Sequence, residues 1–234
     1  MKMKWEVDEN FLCKVKVAES RKKRIRKSVR RFLKFLNDHQ IKTITEKDLN
    51  TFLYHYSKNK ITEFHAQDLK HFFDQLDNQT LYNTIDRFQY KYTAPFKLKQ
   101  FKSANLKNIR QLESLGIFTN YQLLYYLQDN GLKRLLTDTG IKRDDLIRMI
   151  RLSDITRLFA VKETLAELYL DSGFDSVKAI AGTNPTDLIG KMSDYVNKME
   201  LSNLVPKPKE AAFVINYANK VVEFSDIDIN ALLI

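Results

Sequence analysis

A single cysteine, Cys13, stands in a chain of 234 residues. No disulfide can close within it, which fits a reducing compartment, and a lone small thiol reads as packing rather than as a nucleophile. Glycine and proline are scarce, at six and four residues, too few for a sheet protein that turns every ten residues; the balance favours helices. No uninterrupted apolar run approaches the ~18 residues of a membrane-spanning helix. The opening Met1–Asp8 lacks the apolar centre of a signal peptide. Only four histidines occur, between 39 and 71, and none has a cysteine partner at metal spacing. No G-x-x-x-x-G-K-[ST] loop is present, which excludes a P-loop nucleotide hydrolase. The expectation is a cytoplasmic protein without a transmembrane segment.

Charge, in contrast, is abundant in one place. Lys14 to Lys34 holds eleven Lys or Arg against one acid, Glu19, a net of +10 that equals the net charge of the whole chain. Residues 101–234 carry 17 basic and 17 acidic side chains and are neutral. A localised basic stretch is an electrostatic footprint for a polyanion. Nucleic acid is the first partner to consider and an anionic membrane surface the second. With 44% apolar and 12% aromatic residues, the rest of the chain has enough material for one or two cores.

Periodicity gives an all-α reading. Residues 9–37 read as a long basic helix, with Ile25, Val29, Phe32, Leu33 and Leu36 on one stripe and Arg24, Lys27, Arg31 and Lys34 on another face. Thr45 with Asp48 forms a capping-box variant ahead of Leu49, Phe52, Leu53 and Tyr56. A further helix from about Thr62 carries Phe64, Leu69, Phe72, Phe73 and Leu76, and a shorter one Leu81, Ile85 and Phe88. Pro95 interrupts the aromatic and basic stretch 87–102. Domains are therefore expected at 1–92 and 103–234, with 93–102 as a linker. Phe88, Tyr90, Lys91 and Tyr92 could stack and neutralise single-stranded bases, or could pack onto the flanking domains.

The second half repeats itself at a spacing of 57 residues. Ser103-Ala104-Asn105 aligns with Ala160-Val161-Lys162, and Gly116-Ile117-Phe118-Thr119 with Gly173-Phe174-Asp175-Ser176. In each copy a turn precedes a short helix, with Leu112 and Leu115 in the first and Leu165, Ala166 and Leu168 in the second. The glycine ends that helix and Thr119 or Ser176 caps the next. Thr139-Gly140-Ile141 precedes a helix with Leu146, Ile147, Met149 and Ile150. Asn184-Pro185-Thr186-Asp187 starts another, with proline at the first helical position. Pro206 and Pro208 introduce a last helix over about 209–223, before an acidic, apolar tail expected to fray.

This duplicated turn, helix, Gly-hydrophobic-x-Thr/Ser and second helix resembles a tandem helix-hairpin-helix arrangement. Residues 103–222 more specifically resemble the family catalogued as domain of unknown function 4332. The stretches that carry the likeness run from Thr139-Gly140-Ile141 to Asp154, then Arg157–Lys162, Ser172–Val177, Asn184–Leu188, and Val205-Pro206 through Ala218. Helix-hairpin-helix units hold duplex DNA by backbone amides of a Gly-hydrophobic-Gly turn. Neither turn here has glycine. The resemblance then implies that Asn105, in a left-handed conformation, with Lys107 beside it, and Lys162 by its side chain, would serve phosphate instead. The first half is similar, more loosely, to the SAM-like core-binding domain of tyrosine recombinases, on Val29–Leu36, Ile44–Leu49 and Leu69–Phe73. No histidine is followed three residues later by arginine, so the catalytic signature of that family is missing.

Acidic pairs such as Asp144-Asp145, or Asp226 and Asp228, could suggest a metal-dependent nuclease. Capping and solvation account for the first and a fraying tail for the second. The expectation is thus a non-catalytic protein with no cofactor and no metal, nucleoid-associated if it binds DNA. It would bind nucleic acid, DNA rather than RNA and with weak sequence preference. Phosphate contacts would come from Lys22, Lys23, Arg24, Arg26, Lys27, Arg30, Arg31 and Lys34, and in the hairpins from Asn105, Lys107 and Lys162. A protein-interaction scaffold, docking a protein partner on the neutral second half, is the alternative.

Overall fold

The computed structural model describes residues 17–58, 63–91, 95–201 and 204–233, and their side chains except at 54–58, 63–67, 89 and 91. Cys13, Lys14, Lys16, Thr62, Tyr92 and the expected helix start near residue 9 lie outside these residues. So do the side chains of Tyr56, Phe64 and Lys91. The chain is all-α, with twelve α-helices among the described residues. None is long and apolar enough to cross a membrane. The chain divides into two compact units, 1–91 and 92–234.

The first unit holds α1 (Glu19–Asp38), α2 (Glu46–Lys58), α3 (Glu63–Gln75) and α4 (Gln79–Lys91). Val17 and Ala18 are not helical, so the basic helix begins at Glu19 rather than running through from residue 9. Its apolar stripe forms the centre of the core. Ile25, Val29, Phe32 and Leu36 are fully buried, and Phe32 meets Phe52 of α2 and Phe73 of α3 edge-on at 4.9 and 5.6 Å. Thr45 caps α2 as its sequence implied. Its hydroxyl and N–H both donate to Asp48, which returns its own N–H to the Thr45 hydroxyl. Phe88 packs on this core rather than standing free to stack with bases.

In the second unit the duplication is reproduced in its first helix and in the glycine turn that ends it. Helices α5 (Leu106–Ser114) and α8 (Glu163–Asp171) start 57 residues apart and have equal length. Both end in a Schellman turn. Gly116 and Gly173 have φ of 77 and 92°, and the next residue's N–H reaches back to Leu112 O or Tyr169 O. Thr119 then caps α6 (Asn120–Thr139), which is kinked at Gly131, and Ser176 caps α9 (Val177–Ala181). The remaining helices are α7 (Arg143–Ile155), α10 (Pro185–Lys198), α11 (Pro208–Phe224) and α12 (Ile229–Leu232). Asn184 caps α10 by accepting the Asp187 N–H at 2.9 Å, with Pro185 at the first helical position.

Two expectations are corrected here. Residues 95–102 are folded into the second unit and are not a linker: Leu98 and Phe101 are buried. Phe96 is clamped by Asn120, whose side-chain oxygen accepts the Phe96 N–H at 2.9 Å while its own N–H reaches Phe96 O at 2.8 Å. The acidic tail does not fray either. Asp228 caps α12, Ile229 is buried, and Gln128 and Arg157 donate to the carbonyls of Asp226 and Ile227.

Candidate nucleic-acid interface

Helix geometry decides which cations of α1 reach solvent. At about 100° per residue, Lys23, Lys27, Arg30 and Lys34 fall within an arc of about 60°, roughly opposite the buried stripe. All four are exposed. At about 1.5 Å per residue they span about 16 Å, the length of some five phosphates along one strand of B-DNA. Lys34 is 73% exposed and also bonds Asp38, one turn on, at 2.7 Å. The only acids of α1 are at its two ends, Glu19 and Asp38.

The flanking cations have other positions. Arg24, expected on the phosphate face, turns toward α3 and grips Asp68 with Nε and Nη2 at 2.9 and 3.0 Å. Asp68 is fully buried and takes a third bond from the Ser28 hydroxyl at 3.2 Å. Arg24 is thereby a structural residue, and its guanidinium is held even further above its ordinary value by the Asp68 hydrogen bonds. Lys22 is mostly covered and pairs with Glu19 at 2.8 Å. Arg26 and Arg31 are half-buried. The solvent face is therefore 23–27–30–34 and not 24–27–31–34, because a buried carboxylate from a distant helix claims Arg24.

In the second unit, Asn105 and Lys162 stand at equivalent positions, each the N-cap of its helix. Asn105 is not left-handed. Its φ and ψ are −70 and 127°, and its side chain accepts the Lys107 N–H at 2.9 Å. An extended N-cap is what an asparagine at this place satisfies best, since it pairs an otherwise orphaned amide. The Ser103 N–H, one of the first turn's amides, is donated to Glu167 of α8 at 2.9 Å. Lys107 and Lys162 are exposed.

The second turn is built differently. Ala160 takes the left-handed conformation, with φ of 63°, where a helix-hairpin-helix turn would have glycine. Leu158 and Val161 anchor the turn in the core while Phe159, Ala160 and Lys162 face outward. Beneath it, buried Arg157 bonds buried Asp154, which also accepts the N–H of Val177, the first residue of α9, at 2.7 Å. Burial pushes the Asp154 carboxyl upward against the pull of Arg157. Phe159 meets Phe213 and Tyr217 of α11 at ring-centroid distances of 6.5 and 6.0 Å. Sequence reasoning passed over this aromatic group. The signal was the helical spacing of Lys209, Phe213, Asn216 and Lys220 on α11, which puts an aromatic on a polar face.

Among the described residues no group of three or more His, Cys, Asp or Glu is placed to hold a metal ion. Asp145 accepts from Asn108 Nδ2 at 3.2 Å. Asp228 pairs with Lys178 at 2.9 Å, which holds its carboxyl below the ordinary range.

No curated protein and no solved structure matches the chain. One family model does, over residues 104–221, half the chain, from the first repeated turn to the last turns of α11. The chain belongs to the family described as domain of unknown function DUF4332.

Proposed function

We propose that this protein binds nucleic acid without catalysing a reaction, taking duplex DNA through its phosphates and with little sequence preference. The observation that carries the reading is the stripe of Lys23, Lys27, Arg30 and Lys34 on the solvent side of α1. Four cations on one rigid line, with no acid between them, form a surface that exchanges condensed counterions for phosphate contacts. Among the described residues neither arginine–base geometry nor a recognition helix with polar, base-reading side chains accompanies it, so the contacts position without specifying. Lys107 and Lys162, at the repeated turns that resemble hairpins, supply phosphate contacts of the same kind in the second unit.

The test is fluorescence anisotropy of a labelled duplex with the full chain, repeated between about 50 and 200 mM salt. The wild type is expected to give a log–log slope of about −4 to −7. Changing Lys23, Lys27, Arg30 and Lys34 together to Glu is expected to abolish binding while the circular dichroism melt stays put. Equal affinity of the two proteins at low salt would refute the reading. Capture of a protein from cell extract that survives nuclease treatment, with no duplex binding, would favour the scaffold alternative.

A further inference from the structure

We infer that the second unit carries a stacking site for an unpaired nucleobase, formed by Phe159 and Phe213 and bordered by Lys162 and Lys209. The inference rests on the nucleic-acid reading above and names the strand form that this unit selects. Phe159 and Phe213 are 42% and 52% exposed although each lies against the other. Tyr217, itself buried, supports both from behind, at 6.0 and 6.2 Å with rings tilted by 36 and 37°. Two large rings held in contact, backed by a third and left in water, form a prepared apolar surface rather than a stray exposed residue.

The surroundings decide which occupant fits. On α11 the exposed face reads Lys209, Phe213, Asn216, Lys220 by helical spacing. A partner helix would need a continuous apolar stripe at that spacing. Here a single aromatic sits between a cation and an amide. Phe159 and Phe213 meet edge-on, 73° apart, so each ring offers its own face; an exposed π-face with a hydrogen-bonding amide and a cation a turn away suits a base and its neighbouring phosphate. In the turn that holds Phe159, Ala160 is left-handed and Lys162, three residues on, is exposed. Lys220 is shared with Glu223 at 2.6 Å and with the Phe224 ring. Glu210, the acid closest along the helix to Phe213, is engaged by the Lys207 N–H at 2.8 Å.

The experiment uses the full chain and three labelled probes: a short oligo-dT, a blunt duplex, and that duplex with a single-stranded dT overhang. Phe159→Ser with Phe213→Ser is compared with wild type, a melt confirming that both are folded. Loss of one or two stacked bases is expected to weaken oligo-dT and overhang binding about tenfold or more. Blunt-duplex affinity is expected to stay within about twofold. Unchanged oligo-dT affinity, or an equal loss on all three probes, overturns the stacking site and leaves the phosphate-binding reading standing. Wild-type protein that binds none of the probes overturns both. Sedimentation showing a wild-type dimer that the double variant cannot form, with oligo-dT affinity unaltered, would assign the face to a second copy of the chain.

Discussion

Replacing Arg24 by Met tests whether that side chain holds the first unit together or meets phosphate. Arg24 gives Asp68 two charge-assisted hydrogen bonds, at 2.9 and 3.0 Å, and Asp68 has no exposed surface. Removing one partner of a buried ion pair costs about 3–5 kcal/mol when the other charge stays stranded. Arg24 is itself 36% exposed, so water can reach the vacated side of Asp68, and Ser28 keeps its bond. The expected loss is therefore smaller, about 2–3 kcal/mol. In a unit of this size that lowers the melting temperature by about 10–20 °C. Calorimetry of the full chain would show the shift, and hydrogen exchange by mass spectrometry would place the loss of protection in α1 and α3. Adding Asp68→Leu should recover much of it, because no charge is left buried. Under conditions where the Arg24→Met protein is folded, its salt slope for duplex binding should match wild type. Lys27→Ala should do the reverse, leaving the melt alone and flattening the slope by about 0.9. An Arg24→Met protein that melts like wild type and binds with a slope flatter by that amount would refute the structural assignment of Arg24.

Three further outcomes probe the second unit. At Gly116 a built Cβ meets nothing within 4 Å, so Gly116→Ala should cost the left-handed backbone penalty of about 1–2 kcal/mol less the about 0.4–1 kcal/mol of unfolded-chain entropy that alanine removes, a net loss of about 0.5–1 kcal/mol. Ala160→Gly removes the same penalty and adds about 0.4–1 kcal/mol of unfolded-chain entropy, so it should stabilise by about 0.5–1 kcal/mol; urea titration reads both, and destabilisation by Ala160→Gly would contradict the turn geometry. Burial, helped by the Glu210 charge, pushes the Tyr169 phenol from 10.0 up to about 12. Because the folded value is raised, that contribution is whole below the unfolded value and is lost as pH climbs through the folded one. Between about pH 9 and pH 11.5 the wild type should lose about 2 kcal/mol more stability than Tyr169→Phe, and identical urea curves for the two proteins at the higher pH would sink the assignment.

Local signals were the legible ones. The 57-residue repeat could be read because each of its marks, a glycine at the helix end, Thr119 or Ser176 as a cap and leucines at helical spacing, acts within a few residues of itself. The apolar stripe of α1 and the Thr45–Asp48 cap were legible for the same reason. What could not be read was decided by partners far along the chain. Arg24 and Lys27 look alike in sequence, but Asp68 lies 44 positions from one and faces away from the other. Proline at 95 made 93–102 look like a linker, yet Asn120 closes that segment onto the second unit across 24 positions. The acidic tail looked free because its anchors, Gln128 and Arg157 on the carbonyls of Asp226 and Ile227 and Lys178 on Asp228 across 50 positions, lie far from it along the chain.

The division of charge has a consequence for how the two units would share one polyanion. A phosphate-binding stripe without base contacts lets a protein hold any duplex and slide along it. Such a surface by itself cannot choose a place to stop. A nearly neutral unit with exposed aromatics would add little to the attraction along intact duplex, where every base is stacked. It adds a contact only where a base is already unpaired, since extracting one from the helix costs a few kcal/mol. Joined in one chain, the two would concentrate the protein at strand ends, gaps or loops, with the α1 stripe setting the affinity and Phe159 and Phe213 the position. If so, raising salt should weaken binding to blunt and overhanging duplex in parallel, and the preference for the overhang should persist, because stacking releases no counterions. A preference that vanishes in proportion to the total affinity would place the discrimination in the cations and remove the aromatic pair from the scheme.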